Sequence, residues 1–520
     1  MATTTPRFQI EHPILAFIVC FLAGTVATFA FAPFGHWYLA PLSLLVWLLQ
    51  INKTSTKTAL TRSFGWGFGY FSAGISWVHV SIEQFGGLPL AVSLLLMALL
   101  CAYLALFPAL SGYLSAKLTR SRHVNVLLVP LTWLVCEYLR SELLTGFPWL
   151  SIGYTQVDGP LVSWAPIIGE VGISFVIVFI VAAIAKQLQS SFCLRSSAAV
   201  TAVIAITPFT TSLTAVNETG EQLNVALVQG NIKQELRWDE KVEQDIIDLY
   251  VELTEPLYAE HDLIIWPEAA IPRVEPLAQP TLRYLNRQAH SQRSALVTGI
   301  LNYDVDTRQF YNKIITLGNK HRDAEQADYY YGNGNHFNKH HLLPIGEFVP
   351  FGDLLRPIAP LFNLPMSSFS RGDYVQQNLV ANDTHLLPLI CFEIVFPNQL
   401  AANMTPKTDV ILTISNDAWF GASHGPHQHL EIARMRAIEF AKPVLRATNN
   451  GLTAVIDHRG NIVADVPQFQ EAILSTTVNK VHSNTLYSQY GRIAQQVLCW
   501  LLMAFIVVRL YWNRKNQNKA

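Results

Sequence analysis

The distribution of charge constrains this chain more than any other feature. Sixteen of its 73 charged residues lie in the first 213 positions, leaving 57 for the remaining 307. The early part is a succession of apolar runs near 13–32, 37–51, 64–80, 89–114, 124–142, 161–185 and 197–213, and an eighth follows at 494–512. A membrane-crossing helix needs about 20 mostly apolar residues, so a polytopic α-helical membrane bundle of eight spans is expected. The second run is the shortest and admits a re-entrant reading, which makes seven the rival count. The first run exceeds a signal-peptide core and more spans follow it, so it is expected to stay uncleaved. The overall charged fraction of 14%, against about 25% in soluble proteins, then averages over two solvents. A net charge of −1 argues against nucleic acid as a partner.

Lysine and arginine set the orientation. With Arg7 inside, the inner loops hold Lys53, Lys57 and Arg62, then Lys117, Arg120 and Arg122, then Lys186 and Arg195, and the tail holds Arg514, Lys515 and Lys519. The outer loops near 33–36, 81–88 and 143–160 hold neither residue type. This alternation fits eight spans and breaks with seven. It divides the chain into spans at 1–213, an outer domain at 214–493, and a last span with an inner tail at 494–520. The uncharged loop from Gly146 to Tyr154 carries Trp149 and reads as an interfacial aromatic belt, or as the lipid-facing wall of a site. Glu137 and Glu170 fall within spans, where ionisable groups are functional candidates. Each also has pairing partners such as Arg140, and neither is assigned a role.

From about residue 223 the pattern changes to short strands at 224–232, 262–268, 294–303, 311–318, 386–394, 410–417, 452–460 and 471–478. Helical patterns lie between them at 240–257 and 427–442. Several strands are continuous apolar runs, as expected when both faces are buried, and the alternation indicates a layered α/β domain. Of six cysteines only Cys391 lies in this domain, so no internal disulfide is available to it. Cys391 ends the run Leu386-Leu387-Pro388-Leu389-Ile390, where groups emerge from an α/β sheet. Taken singly, it also reads as a core thiol. Glu268 ends Leu263-Ile264-Ile265-Trp266-Pro267 and reads equally as a helix cap. Lys339 lies in a Gly/Asn-rich approach with Glu347 eight positions on, where a lone lysine is ordinarily a solvated charge.

Together these groups resemble the nitrilase superfamily, whose Glu–Lys–Cys triad occurs in this chain order. Glu268 matches its glutamate in a W-P-E context, Lys339 its lysine, and Cys391 its nucleophile in I-C-F-E. The spans on either side narrow the resemblance to the apolipoprotein N-acyltransferase family. Gly146-Phe147-Pro148-Trp149-Leu150, Ser415-Asn416-Asp417-Ala418-Trp419-Phe420 and Asn449-Asn450-Gly451 also look like that family. Phe392 departs from it, standing where tyrosine is common, so no side-chain hydrogen bond is assigned there. The resemblance implies an αββα sandwich carried by the bundle and no cofactor or metal. It implies a phospholipid acyl donor and, as acceptor, the α-amino group of an apolipoprotein's diacylglyceryl-cysteine. It also implies a bacterial inner membrane, with a periplasmic catalytic domain and cytoplasmic termini.

A thiol of pKa near 8.5 is mostly protonated at neutral pH and needs activation. Glu268 would be its general base and later its acid. Lys339, supported by Glu347, would face the oxyanion together with the Phe392 backbone N–H. Trp238, Trp149 and Glu393 are the candidate substrate-binding residues. The alternative within the superfamily is a membrane-anchored amidase that hydrolyses. A zinc or Cys–His enzyme would draw on His336, His340, His341, His424, His427 and His429, but no HExxH or CxxC spacing occurs. A transporter would need a repeat or an ion path in the spans, and none is evident. A protease added to the outer face should cut within 214–493; cleavage of the 117–123 loop instead would invert the topology.

Overall fold

The apolar runs become helices, but chain breaks shorten several of them. The fold is that of a computed structural model describing residues 8–119, 124–189, 194–210, 216–237, 239–344, 346–348 and 369–517. Trp238, Arg7, Arg120 and Arg122 lie outside the described residues. Two compact units form: Met1–Glu83, Leu88–Thr214 and Gln489–Ala520 in one, Gln84–Gly87 and Ala215–Ser488 in the other.

Among the described residues four stretches are long and apolar enough to cross a membrane: Pro13–Ala30, Leu90–Leu118, Val162–Gln189 and Tyr487–Trp512. The apolar helices Leu39–Ile51 and Leu194–Thr210 have 13 and 17 residues. The run at 64–80 falls in the helix Thr56–Gly74, which begins in polar sequence and closes at Ile75. That at 124–142 is helical only over Leu128–Glu142. Length and composition therefore support four of the eight expected spans. Glu137 pairs with Arg140 at 2.6 Å, and Arg140 also donates to the Phe147 and Trp149 carbonyls at 2.6 Å. Glu170 accepts from the Ser151 hydroxyl at 2.9 Å. Both acids thus tie the 146–154 loop to its helices.

The second unit contains two mixed sheets. In the first, β1 (Val216–Gln229), β2 (Leu263–Ile265) and β4 (Ala295–Asp304) run parallel. β13 (Ala472–Ser483) flanks β1, while β5 (Gln309–Gly318) and β6 (His336–Asn338) extend the far edge antiparallel. β3 (Ile271–Val274) joins β4. The second sheet has the order β12 (Ile462–Val466), β11 (Thr453–Ile456), β10 (Val444–Thr448), β9 (Val410–Ser415), β8 (Thr384–Ile390), β7 (Leu379–Ala381), with β8, β9 and β10 parallel.

Alternation along the strands explains the layering. Val225 and Leu227 of β1 join Leu263, Ile265 and Val297 against Leu412, Ile414 and Leu445 of the other sheet. Ala226, Val228, Ile264 and Leu296 point the opposite way, onto Ile246 and Tyr250 of the helix Glu243–Thr254 and Leu282 and Leu285 of Gln279–Ser291. The strands read as unbroken apolar runs because both faces are covered. The helix Gly425–Phe440 covers the outer face of the second sheet, completing a helix–sheet–sheet–helix order.

Leu412 is fully buried between the sheets. Leu412→Ala should therefore cost about 2–5 kcal/mol, read as a lower unfolding midpoint of the full-length protein; an unchanged midpoint would contradict this packing.

Candidate active site

The carboxyl ends of the parallel strands deliver the chemistry, as is usual for α/β sheets. β2 ends at Ile265, and Trp266-Pro267 lead to Glu268, followed by Ala269 in the left-handed region at φ 43°. β4 passes close beneath. A Cβ on Gly299 would lie 2.5 Å from the Ala269 nitrogen and 2.8 Å from the Glu268 Cα, so this position admits only glycine without displacing the acid. Glu268 Oε1 accepts from Asn312 Nδ2 at 2.8 Å, and Oε2 from the Asn416 N–H at 2.9 Å. The buried Arg237 guanidinium donates to the Glu268 carbonyl.

Lys339 follows β6 and is 2% exposed. Its ammonium lies 2.8 Å from each Glu347 oxygen and 3.6 Å from Glu268 Oε1. Burial opposes the charge, but Glu347 and then Glu268 outweigh it, holding the lysine above its ordinary pKa. It is a fixed cation. Glu347 is held in turn by Asn312 Nδ2 at 3.0 Å and by the Leu343 N–H at 2.8 Å.

Cys391 follows β8 at φ 54°, a backbone region sparsely used by residues other than glycine. It opens the short 3-10 turn Cys391–Val395 and is half-buried. Burial first, then the Glu268 carboxylate, push its thiol up to about 12, against the opposing pull of Lys339. The resting thiol is therefore protonated at neutral pH. A group that loses its proton only during attack needs a base beside it.

Comparison with known proteins follows the same division of the chain. The profile described as "Apolipoprotein N-acyltransferase N-terminal domain" matches residues 23–183, and "Carbon-nitrogen hydrolase" matches 224–484. An apolipoprotein N-acyltransferase of Shewanella oneidensis is 45% identical, over 95% of this chain and 96% of its own. That of Photobacterium profundum is 45% identical over 90% of each chain, and that of Vibrio cholerae 43% over 93% and 95%. The chain belongs to the apolipoprotein N-acyltransferase family. It therefore stands among the acyltransferases of lipoprotein biosynthesis, in the nitrilase superfamily, and its long apolar helices fit a membrane-embedded protein.

The structure brings Glu268 and Glu347 within ion-pair reach of Lys339, and Cys391 within the field of Glu268 and Lys339. Phe392 is the second residue of the Cys391–Val395 turn, its ring edge-on to Phe396 at 5.1 Å. Trp149 and Glu393, two of the candidate substrate contacts, are both buried. Trp149 is 1% exposed inside the helical unit, against Trp77 and Phe147. Glu393 is fully buried, and its oxygens accept from the N–H groups of His340, His341 and Ile390 and from Gln399 Nε2, at 2.8–3.1 Å. It fastens the Lys339 loop to the Cys391 turn. Burial pushes its carboxyl up. Among the described residues, no group of three or more His, Cys, Asp or Glu is arranged to hold a metal ion.

Sequence reasoning missed Asn312 and Arg237. The one available signal for Asn312 was the polar pair Asn312-Lys313 ahead of the apolar half of β5. In the resting protein, alkylation of Cys391 by iodoacetamide, mapped by mass spectrometry, should keep climbing above the ordinary thiol range of about 8–9. A plateau within that range would contradict the site's electrostatics.

Proposed function

We propose that this protein transfers an acyl chain from a membrane phospholipid to the α-amino group of the diacylglyceryl-cysteine of apolipoproteins, through a thioester on Cys391. The observation that carries the reading is a strand-end thiol in the field of a carboxylate, Glu268, that is itself paired with a buried cation, Lys339. Family membership supports acyl transfer in lipoprotein biosynthesis.

In the first half-reaction Glu268 takes the thiol proton as the sulfur attacks the ester carbonyl. Lys339 and the Phe392 N–H face the oxyanion. The tetrahedral adduct collapses to the thioester, and the departing alkoxide receives the proton from Glu268. In the second half the acceptor amine attacks the thioester and gives its proton to Glu268. Collapse then expels the thiolate, which takes that proton back. The kinetics are ping-pong. Glu347 keeps Lys339 charged and aimed.

The same reading places eight spans in a bacterial inner membrane, with residues 1–213 and 494–520 forming the spans and inner tail. Residues 214–493 form the catalytic domain on the periplasmic side, and both termini are cytoplasmic. The exclusion of loop lysine and arginine from one side supports it.

Product analysis separates transfer from hydrolysis. With phospholipid and a diacylglyceryl-peptide, the acyl chain should appear as an amide on the peptide; free fatty acid, formed equally with or without the amine, would show an amidase-type hydrolase. Lys339→Met should lower turnover by about 10²–10³-fold, and a variant retaining full turnover would remove the lysine from the mechanism.

A further inference from the structure

A second polar network, used by none of the steps above, lies behind Cys391. Ser415 ends β9, Asp417 follows it, His429 projects from the helix Gly425–Phe440, and Arg446 projects from β10; none is more than 2% exposed. Arg446 Nη2 donates to Asp417 Oδ2 at 2.6 Å and lies 3.1 Å from His429 Nδ1. Asp417 Oδ1 accepts from the Ser415 hydroxyl at 2.7 Å and lies 3.2 Å from the same His429 nitrogen. His429 Nε2 lies 3.1 Å from the Cys391 carbonyl.

We propose that Ser415, Asp417, His429 and Arg446 form a positioning network for the nucleophile, Arg446 and Asp417 orienting His429 and His429 holding the Cys391 backbone. The inference rests on the reading of Cys391 as nucleophile.

The tautomer follows from the partners. A carbonyl only accepts, so His429 Nε2 carries a hydrogen. Nδ1 faces both a donor, Arg446 Nη2, and an acceptor, Asp417 Oδ1. Burial first, and then the Arg446 charge, outweigh Asp417 and hold the imidazole below its ordinary pKa, so with the hydrogen on Nε2 the bare Nδ1 accepts from Arg446. Arg446 thereby fixes the nitrogen that faces away from Cys391, and the opposite one is committed to the carbonyl. That carbonyl belongs to a residue in a sparsely populated backbone region, which persists only where its surroundings over-determine it.

Ser415 steadies the Asp417 carboxylate that faces His429. The Asn449-Asn450-Gly451 run has a place here too. A Cβ on Gly451 would fall 2.3 Å from Asp417 Oδ2, so the bare glycine is what lets the carboxylate sit beside Arg446. A buried guanidinium–carboxylate pair is weak evidence for stability. Its place behind a left-handed cysteine gives it a positional use.

The test uses the full-length protein with His429→Leu and His429→Gln, the second retaining a donor near the Nε2 position. His429→Leu should slow acyl-enzyme formation from phospholipid about tenfold through kcat rather than KM, and His429→Gln should recover most of that loss. Equal impairment of the two His429 variants would overturn the network. Acyl transfer by Cys391→Ala protein would instead remove the nucleophile reading itself. An inert Cys391→Ala beside equally impaired His429 variants removes the network alone.

Discussion

An ammonium group withdrawn from water and clasped by two carboxylates is the interaction on which the rest of the catalytic unit depends. Lys339 keeps its charge only because Glu347 at 2.8 Å and Glu268 at 3.6 Å outweigh its burial. Those two acids come from different parts of the chain, one after β2 and one in the segment after β6. Asn312 binds both with the same amide nitrogen. Glu393 then joins the lysine loop to the nucleophile turn. The two-sheet core exists, in functional terms, to bring these strand ends to one place and hold them there.

The thiol shows the other side of that arrangement. A cation alone beside Cys391 would depress its pKa and leave a standing thiolate. Here burial and the Glu268 carboxylate outweigh the lysine, and the proton stays on sulfur at rest. A protonated thiol beside a base spends its reactivity only when a carbonyl is in reach, which suits the thioester chemistry proposed for it.

Much of this was legible in the sequence because strand ends are marked by abrupt changes of residue type. Trp-Pro-Glu after Leu263-Ile264-Ile265 and Cys-Phe-Glu after an apolar run announce groups that leave a sheet, and continuous apolar strands announce burial on both faces. What escaped was set by tertiary contact. Asn312 lies within β5 and becomes a site residue only because β5 pairs beside β4, which passes under Glu268. Glu393 is a candidate substrate contact in the sequence, and the fold gives its oxygens to four protein donors. Trp149 lies in a loop that reads as an interfacial belt or a lipid-facing wall, and Arg140 and neighbouring rings bury it. Span counting failed to settle at eight because hydropathy sees the apolar run and not the break, such as the helix end at Ile75 within 64–80.

The central claim is that acyl chains pass through a covalent bond to Cys391. Intact-protein mass spectrometry after incubation with phospholipid alone tests it most directly. A mass increase of one acyl chain is expected, mapped to the Cys391 peptide and discharged when a diacylglyceryl-peptide amine is added. No adduct, or an adduct on any other residue that is discharged by the amine, would contradict it.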